Sequence, residues 1–512
     1  MIEENKSSMK NSVRRIIIAG IGVLIQIIWV VVLVMRLNQY SQIITLLTVA
    51  IELVLVLAVY SMDTNAAFKL PWIILITVAP IVGICVFFLF GRSGATKKVR
   101  ARYRKIDQQL FAYLNQDEQI IDELSKKDER LANDFKYLWK CASSPVYKNT
   151  DVKYYGDTCD AMAAQLEDMM QAKKFIFLEY HAIEMAESFQ ALRKVLMAKA
   201  REGVEIRILY DDAGCIGFLN PRFIKYMESM GIQCRVFNPI MPVLNIFMNN
   251  RDHRKITVID GKVAYTGGYN LADEYFNITH PYGQWKDSGI RFEGDAVQTA
   301  TILFLEMWNA LREQDVDIEK YLPVYPYKAK EQGFFALYGD SPLDKEPAGE
   351  NVYMNLLRHA KKYIYFTTPY LILSDEMTRE LTGAAKRGVD VRIITPGIPD
   401  KKTIFQVTKS YYPQLLKHGV KIYEYTPGFM HEKQCICDGE IVVVGTINLD
   451  FRSLYLHFEN AALFCGYEAV SHVKEDFDAL FPICNDMSKE PSERTRRLRL
   501  SQLILRLFSP LM

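Results

Sequence analysis

Two histidines carry the chemistry legible in this chain. His253 and His431 are each followed by a lysine two residues on, an aspartate seven on, a glycine fourteen on and an asparagine seventeen on. The first copy reads His253, Lys255, Asp260, Gly267, Asn270, and the second His431, Lys433, Asp438, Gly445, Asn448. With each residue type taken at roughly one in twenty, a single match arises by chance about once in three million start sites, so two with equal spacing mark a duplication. Neutral imidazole can attack a phosphodiester to give a phosphohistidine, provided another group protonates the leaving alkoxide and cations hold the non-bridging oxygens. Two copies facing one another supply all of this. One histidine is nucleophile and the other general acid, then general base; Lys255 and Lys433 hold phosphoryl oxygens; Asn270 and Asn448 donate hydrogen bonds. The scheme calls for no metal and no other cofactor.

An imidazole in such a role also needs an acceptor on its second nitrogen. The candidates are Asp287, in Trp285-Lys286-Asp287, and Glu459, in Phe458-Glu459-Asn460, which follow their histidines by 34 and 28 residues. Asp260 and Asp438 belong to the candidate catalytic motifs, but their place at the far end of the strand suggests a structural or lysine-organising role. The other six histidines, His181, His280, His359, His418, His457 and His472, read as packing or capping residues. Glu179, Tyr180 and Tyr370 fall at strand ends and either line the pocket or belong to the sheet edge.

The elements that must position these residues are themselves repeated. Tyr155-Gly156-Asp157 recurs as Tyr338-Gly339-Asp340, Lys173-Lys174-Phe175-Ile176 as Lys361-Lys362-Tyr363-Ile364, and Arg201-Glu202-Gly203-Val204 as Lys386-Arg387-Gly388-Val389. The first copy carries extra residues in Pro239–Asn250. Short β-branched runs alternate with helical stretches: Phe175–Glu179, a helix near Met185–Arg201, Val204–Tyr210, a helix near Pro221–Met230, and Cys234–Phe237. Such alternation predicts a mostly parallel or mixed sheet covered by helices. After each histidine an alternating strand should turn at Asp260-Gly261 or Asp438-Gly439 into a second strand, since Asp-Gly favours a tight hairpin. Histidine and lysine, two apart, would then share a face.

Before the repeats lie three apolar stretches, Ile16–Met35, Ile43–Met62 and Leu70–Phe90, each about long enough for a hydrocarbon core of roughly 30 Å. No small-residue cleavage site follows the first, which argues against a secretory signal. Basic residues flank both ends of the region, Lys6 to Arg15 before and Arg92 to Lys105 after, and place those flanks in the cytoplasm. Two flanks on one side require an even number of crossings, so two or three spans remain open. Ala101–Trp139 suits a helical connector. The net charge of +2 gives no sign of a nucleic-acid-binding protein. Nine scattered cysteines read as reduced thiols, with Cys435 and Cys437 alternate residues of a buried strand.

On the two motifs, the span from about residue 130 to 485 is identified as a member of the phospholipase D superfamily. The chain more narrowly resembles the bacterial cardiolipin synthases. That likeness rests on Phe68-Lys69-Leu70-Pro71-Trp72, on Phe90-Gly91-Arg92 before a basic run, and on the ending Arg506-Leu507-Phe508-Ser509-Pro510-Leu511. The third apolar stretch departs from the two that many relatives show. The resemblance implies an α/β fold of two pseudo-symmetric phospholipase D-like lobes with helix-covered mixed β-sheets, one active site between them, preceded by an N-terminal transmembrane helical region. It implies metal-independent conversion of two phosphatidylglycerols to cardiolipin and glycerol, with His253 as nucleophile and His431 as acid and base.

The expected division is a membrane anchor over 1–92 with two or three transmembrane helices and a basic helical connector over 93–139. A first lobe over 140–325, a second over 326–490 and a basic amphipathic tail over 491–512 follow. The expected setting is a multi-pass cell-membrane protein with its catalytic lobes on the cytoplasmic side. Its partners would be phosphatidylglycerol in the membrane and an anionic lipid surface, with homo-oligomerisation left open and no nucleic acid. The apolar insertion Pro239–Met248 either dips into the bilayer or packs between lobes, and the tail Arg494–Leu507 either lies on anionic lipid or docks on the protein. Rival readings are a membrane phospholipase D, a phosphatidylserine synthase, a nuclease and an inactive membrane scaffold. The scaffold should have lost a histidine or lysine, and both copies are intact.

Overall fold

The strand Phe175–Tyr180, buried along its whole length, sits near the middle of the first lobe's sheet. In this computed structural model the described residues are 42–88, 97–219, 222–240, 249–312, 315, 317–490 and 497–511, with scattered positions between 24 and 35. Phe175–Tyr180 runs parallel to Glu205–Asp211, which runs parallel to Gln233–Phe237; on its other side lies antiparallel Lys255–Ile259. Val263–Gly267, Gly289–Gly294 and Thr150–Tyr155 complete a mixed seven-stranded sheet.

The second lobe repeats that order. Phe334–Asp340, His457–Cys465, Ile441–Gly445, Gln434–Cys437, Tyr363–Thr367, Asp390–Pro396 and Lys421–Tyr425 lie side by side, with Cys484–Asp486 added at the edge. Parallel pairing again joins the strands linked through helices, Tyr363–Thr367 to Asp390–Pro396 to Lys421–Tyr425, as crossover connections require. The expected helices appear as Glu187–Arg201 and Phe223–Glu228. The expected helical connector is made of three helices, Lys97–Leu110, Glu118–Lys127 and Glu129–Ala142. Asp117 and Asp128 cap the second and third through the backbone N–H groups of Gln119 and Arg130, an N-cap signal the periodicity reading passed over.

One helix is the shared core. Val297–Leu311 is buried around its whole circumference from Thr299 to Ala310, as a helix apolar on all sides must be. Phe304 stacks on Phe177 with ring centroids 4.5 Å apart, and the same apolar cluster holds Phe335, Leu337 and Phe464 of the second sheet. Each such aromatic contributes about 1.5–3 kcal/mol by burial, and the two lobes share one apolar core.

The hairpins form as their Asp-Gly pairs require. Asp260 and Gly261 both have positive φ, 54° and 66°, and so do Asp438 and Gly439, at 54° and 71°. A two-residue turn with both φ values positive matches the twist of its flanking strands.

Among the described residues no helix is long and apolar enough to cross a membrane. Two N-terminal helices, Gln42–Tyr60 and Ala66–Val78, nevertheless expose apolar side chains, among them Leu46, Leu53, Val54, Leu57, Leu70 and Val78. Phe68 packs edge-on against Phe451 and Tyr455, each at 5.5 Å, which seats this region on the second lobe. The stretch Ile16–Met35 lies largely outside the described residues, as do positions 241–248 of the apolar insertion and the start of the tail. The rest of the tail folds as Leu500–Phe508 and docks on Lys402–Lys417. Arg506 lies 4.0 Å over the Tyr411 ring and Gln502 is buried, while Leu500, Leu503 and Ile504 remain exposed.

Candidate active site

Each motif histidine is entered from a short strand that pairs with the other lobe. Arg251–Asp252, just before His253, runs parallel to His457–Phe458 of the second lobe. Gly428–Met430, just before His431, runs parallel to Gln284–Lys286 of the first. The backbone N–H of His253 donates to Phe458 O at 2.9 Å, and that of His431 to Lys286 O at 2.8 Å. The two histidines are thus fixed by reciprocal strand exchange across one interface.

The residue between histidine and lysine tightens the same exchange. In the first motif it is Arg254, whose Nε donates to Glu459 O and whose Nη1 pairs with Glu306 at 2.8 Å. In the second it is Glu432, paired at 2.7 Å with Lys286 of the first lobe. Strand Lys255–Ile259 begins at the first lysine, and Gln434–Cys437 just after the second, so neither histidine sits within a strand. Histidine and lysine nevertheless face together, Lys433 Nζ lying 2.7 Å from His431 Nδ1, and each lysine Nζ also reaches back to its own histidine's carbonyl, at 2.6 Å in the first motif.

The carboxylates cross over. His253 Nδ1 lies 2.8 Å from Glu459 Oε2, and His431 Nδ1 lies 2.6 Å from Asp287 Oδ2. Spacing along the chain had set each acid in the same copy as the histidine before it, and strand exchange pairs each with the other copy's histidine. Asp287 also accepts from Ser288 N at 3.0 Å, and Thr446 Oγ1 donates to Glu459.

Burial, then the charge of the neighbouring lysines, holds both imidazoles well below their usual protonation range. Burial likewise pushes Lys255 down to about 7 and Lys433 down to about 8, although Glu459 and Asp287 oppose it. Asp287 is raised by burial to about 6. Cations that are costly to bury without an anion make a receptive site for a phosphodiester.

Asn270 accepts from Ala182 N at 3.1 Å and donates to Tyr275 Oη at 2.8 Å, while Asn448 donates to Ser453 Oγ at 3.0 Å. The hydrogen bonds of Asp260 and Asp438 run to groups other than the motif lysines and histidines. Asp260 accepts from the backbone N–H groups of Lys173, Lys174 and Phe175, and Asp438 from those of Lys361, Lys362 and Tyr363, at 2.7–2.9 Å. Each ties the hairpin to the start of the neighbouring strand, which is the structural half of the earlier expectation. Glu179 is wholly buried, Tyr180 bonds to Thr257 and Gln165 in the core, and Tyr370 donates to Asp400 at 2.6 Å.

Two histidines read as packing residues stand beside His253 instead. His181 lies 5.0 Å away, ring to ring, and His457 lies 5.6 Å away. The other histidine is enclosed by Tyr275, Trp285 and Phe429 at 5.2, 5.0 and 5.8 Å. A usable signal existed, since His457 and Trp285 each stand two residues before a carboxylate already singled out. His253, His457 and Glu459 are the one group among the described residues whose donor atoms converge within 4.8 Å as metal ligands would. The Arg452 Nε–H donates to His457 Nε2 at 3.2 Å, which puts the ring proton on Nδ1, facing Glu459, and leaves no lone pair there for a cation.

Comparison with known proteins bears on this arrangement. The family described as cardiolipin synthase, PLD-like domain, matches residues 166–308 and 353–481. Fold and paired motifs define a phospholipase D-like protein of two lobes. A phosphatidylserine synthase of Haemophilus influenzae superposes with a TM-score of 0.53 at 14% identity, covering 70% of this chain and 93% of its own. At that identity the likeness concerns the fold alone. A Streptococcus mutans protein without an assigned function is 39% identical over 90% of this chain and 99% of its own. The cardiolipin synthase of Halalkalibacterium halodurans is 31% identical over 93% and 94%, and cardiolipin synthase 2 of Bacillus anthracis 30% identical over 86% of each. The chain belongs to the cardiolipin synthase family of phospholipase D-like proteins.

Proposed function

We propose that this chain is a cardiolipin synthase, a phosphatidyltransferase that moves a phosphatidyl group from one phosphatidylglycerol to another and releases glycerol. The observation that carries the reading is the crossed pairing of Glu459 with His253 and Asp287 with His431, beside two buried lysines. A carboxylate on Nδ1 leaves Nε2 of a neutral imidazole free to attack, and a low proton affinity keeps it neutral at pH 7. The phosphodiester anion, once seated between the lysines, favours the charged form of His431 and brings it into the cycle as imidazolium. In the first half-reaction His253 Nε2 bonds to phosphorus as that imidazolium gives its Nε2 proton to the departing glycerol oxygen. In the second, neutral His431 takes the proton of the incoming glycerol hydroxyl, which displaces His253 from phosphorus. Lys255 and Lys433 balance the phosphoryl charge, and the second N–H of each amide, Asn270 and Asn448, completes the cradle. The order of the two histidines rests on family likeness.

Residues 1–92 are read as the membrane anchor, 93–139 as connector, 140–325 and 326–490 as the lobes, and 491–512 as the tail. The exposed apolar side chains of Gln42–Tyr60 and Ala66–Val78, and the basic run from Arg92 to Lys105, support an anchor with the lobes on the cytoplasmic side. Water at about 55 M would outcompete a lipid hydroxyl in an open pocket, so synthesis requires a dry site at the bilayer. Both histidines are more than nine-tenths buried.

With phosphatidylglycerol vesicles as sole substrate, cardiolipin and glycerol should form in equal amounts with little phosphatidic acid. Dominant phosphatidic acid would make the protein a membrane phospholipase D, and a requirement for serine with a cytidine-diphosphate lipid would make it a phosphatidylserine synthase.

A further inference from the structure

The two halves of the site are built alike down to the residue two before each orienting carboxylate, where one half has Trp285 and the other His457. Trp285 Nε1 is buried without a hydrogen-bond partner, and its N–H favours the ionised form of Asp287. In the other half two buried atoms lack partners, His457 Nδ1 and Glu459 Oε1, and they face each other at 3.6 Å. Arg452 Nε, donating to His457 Nε2, leaves this ring one neutral form, with its proton on Nδ1.

We propose that His457 is a positioning residue: locked by Arg452 as a neutral Nδ1–H donor, it steadies Glu459 against His253 in the way that Trp285 steadies Asp287 against His431. In the resting site the His457 N–H stands 3.6 Å from its carboxylate, just beyond hydrogen-bond distance, and the indole N–H likewise makes no hydrogen bond. A buried donor and acceptor left apart are costly, and contacts of this kind close when the site is loaded. The moment for closure is when phosphorus bonds to His253 and the imidazole gains charge. Glu459 Oε2 is then drawn onto His253 Nδ1, and Oε1 closes on the His457 N–H that faces it at 3.6 Å.

Several groups bear on this ring and its carboxylate. Arg452 and His253 flank His457, with Arg251, Asp211 and Asp450 behind Arg452. Lys255, Lys433, His431 and Lys401 act on His253. Burial, the largest influence, pushes His457 down to about 3, so it serves as a fixed donor at working pH, as an indole does.

The inference rests on Glu459 being the partner of His253, and the test keeps the two apart. Full-length protein in detergent-dispersed phosphatidylglycerol is assayed as wild type, His457→Ala, His457→Asn, His457→Gln and Glu459→Gln, with a melting curve for each. His457→Ala should lower kcat about 10–100-fold, the usual cost of losing a group that orients a functional side chain, with KM within about twofold. Without that competing donor the Glu459 carboxylate holds the His253 N–H more strongly and stabilises the imidazolium, so the acid limb of the kcat profile moves to higher pH. Asparagine places an N–H near the position of Nδ1 and should recover most of kcat and return the limb; glutamine, whose amide matches Nε2, should not.

If His457→Ala leaves kcat and the acid limb unchanged, or if asparagine is no better than glutamine, the proposal is wrong even where Glu459→Gln is inactive. An active Glu459→Gln would overturn the underlying pairing as well. Should the alanine variant fail to fold, asparagine against glutamine decides.

Discussion

Asp287 and His431 lie 144 residues apart on different lobes, yet their side chains meet at 2.6 Å, and Glu459 meets His253 in the mirrored way at 2.8 Å. Neither lobe therefore holds a complete histidine–carboxylate pair of its own. A half-site cut from this chain would have an unoriented imidazole, whichever half it was. Asp287→Asn and Glu459→Gln should each lower kcat by about 10³–10⁴-fold, since an amide selects the wrong imidazole tautomer. Nitrogen-15 spectra of the histidines would show the crossing directly. Asp287→Asn should shift the His431 resonances and Glu459→Gln those of His253; the opposite assignment would return each acid to its own motif.

Nucleophile and acid/base act as one unit, so His253→Ala and His431→Ala should each abolish turnover. Phosphatidylglycerol labelled in its phosphatidyl group should leave an acid-labile adduct on one histidine only. Substantial turnover in either variant would mean that the site does not work as a shared pair.

Much of this was open to view in the sequence. The duplication, the Asp-Gly hairpins and the alternation of strand and helix are local patterns, and each leaves a local trace. Orientation across the lobes leaves none. The offset from His253 to Asp287 resembles that from His431 to Glu459, so spacing alone suggests pairing within a copy. The exchange depends on strands of two and three residues, Arg251–Asp252 and Gly428–Met430, too short to carry any periodicity. His181 and His457 were passed over for a related reason. A lone histidine at a strand end is usually packing, and only the fold sets these two against His253.

The depressed lysines make stability depend on pH with a definite sign. Lys255 and Lys433 titrate near 7 and 8 when folded and near 10.5 when unfolded, so between those values the unfolded chain binds more protons. Stability from these two groups therefore rises as pH climbs from about 7 toward 10, and is lost below. The substrate-free protein should melt higher at pH 9 than at pH 7, and Lys433→Met should flatten that slope. An anion in the site reverses the preference, so inorganic phosphate should raise the melting temperature more at pH 7 than at pH 9. Equal slopes in wild type and Lys433→Met would show that the lysine is an ordinary cation.

For Asp260 and Asp438 the expectation is loss of stability without loss of chemistry. Each carboxylate holds three backbone N–H groups at the foot of a buried strand and sits at positive φ. Asp438→Ala gives up those bonds and strains the turn, a cost of about 2–4 kcal/mol read from denaturant midpoints. The folded fraction should keep kcat within about threefold of wild type. A kcat loss as large as that of a lysine variant would instead return these aspartates to the chemistry.

The N-terminal helices should matter to substrate delivery more than to the chemical step. Asn65 donates to Tyr455 Oη at 3.2 Å and Phe68 packs on Phe451 and Tyr455, all three contacts falling just after the second motif. Removing residues 1–92 deletes the proposed anchor together with this seat, so the two effects must be separated. Phe68→Ala keeps the anchor and removes only the edge-on contacts, worth about 0.5–1.5 kcal/mol beyond burial. If the anchor brings the site to the bilayer, the deletion should lower activity on phosphatidylglycerol vesicles at least tenfold more than on detergent-dispersed lipid, and Phe68→Ala should lower both by a similar, smaller factor. If the seat instead shapes the pocket, Phe68→Ala will reproduce the deletion in detergent. Equal losses for the deletion in both settings would remove the case for delivery, because a bilayer anchor has nothing to contribute once the lipid is dispersed.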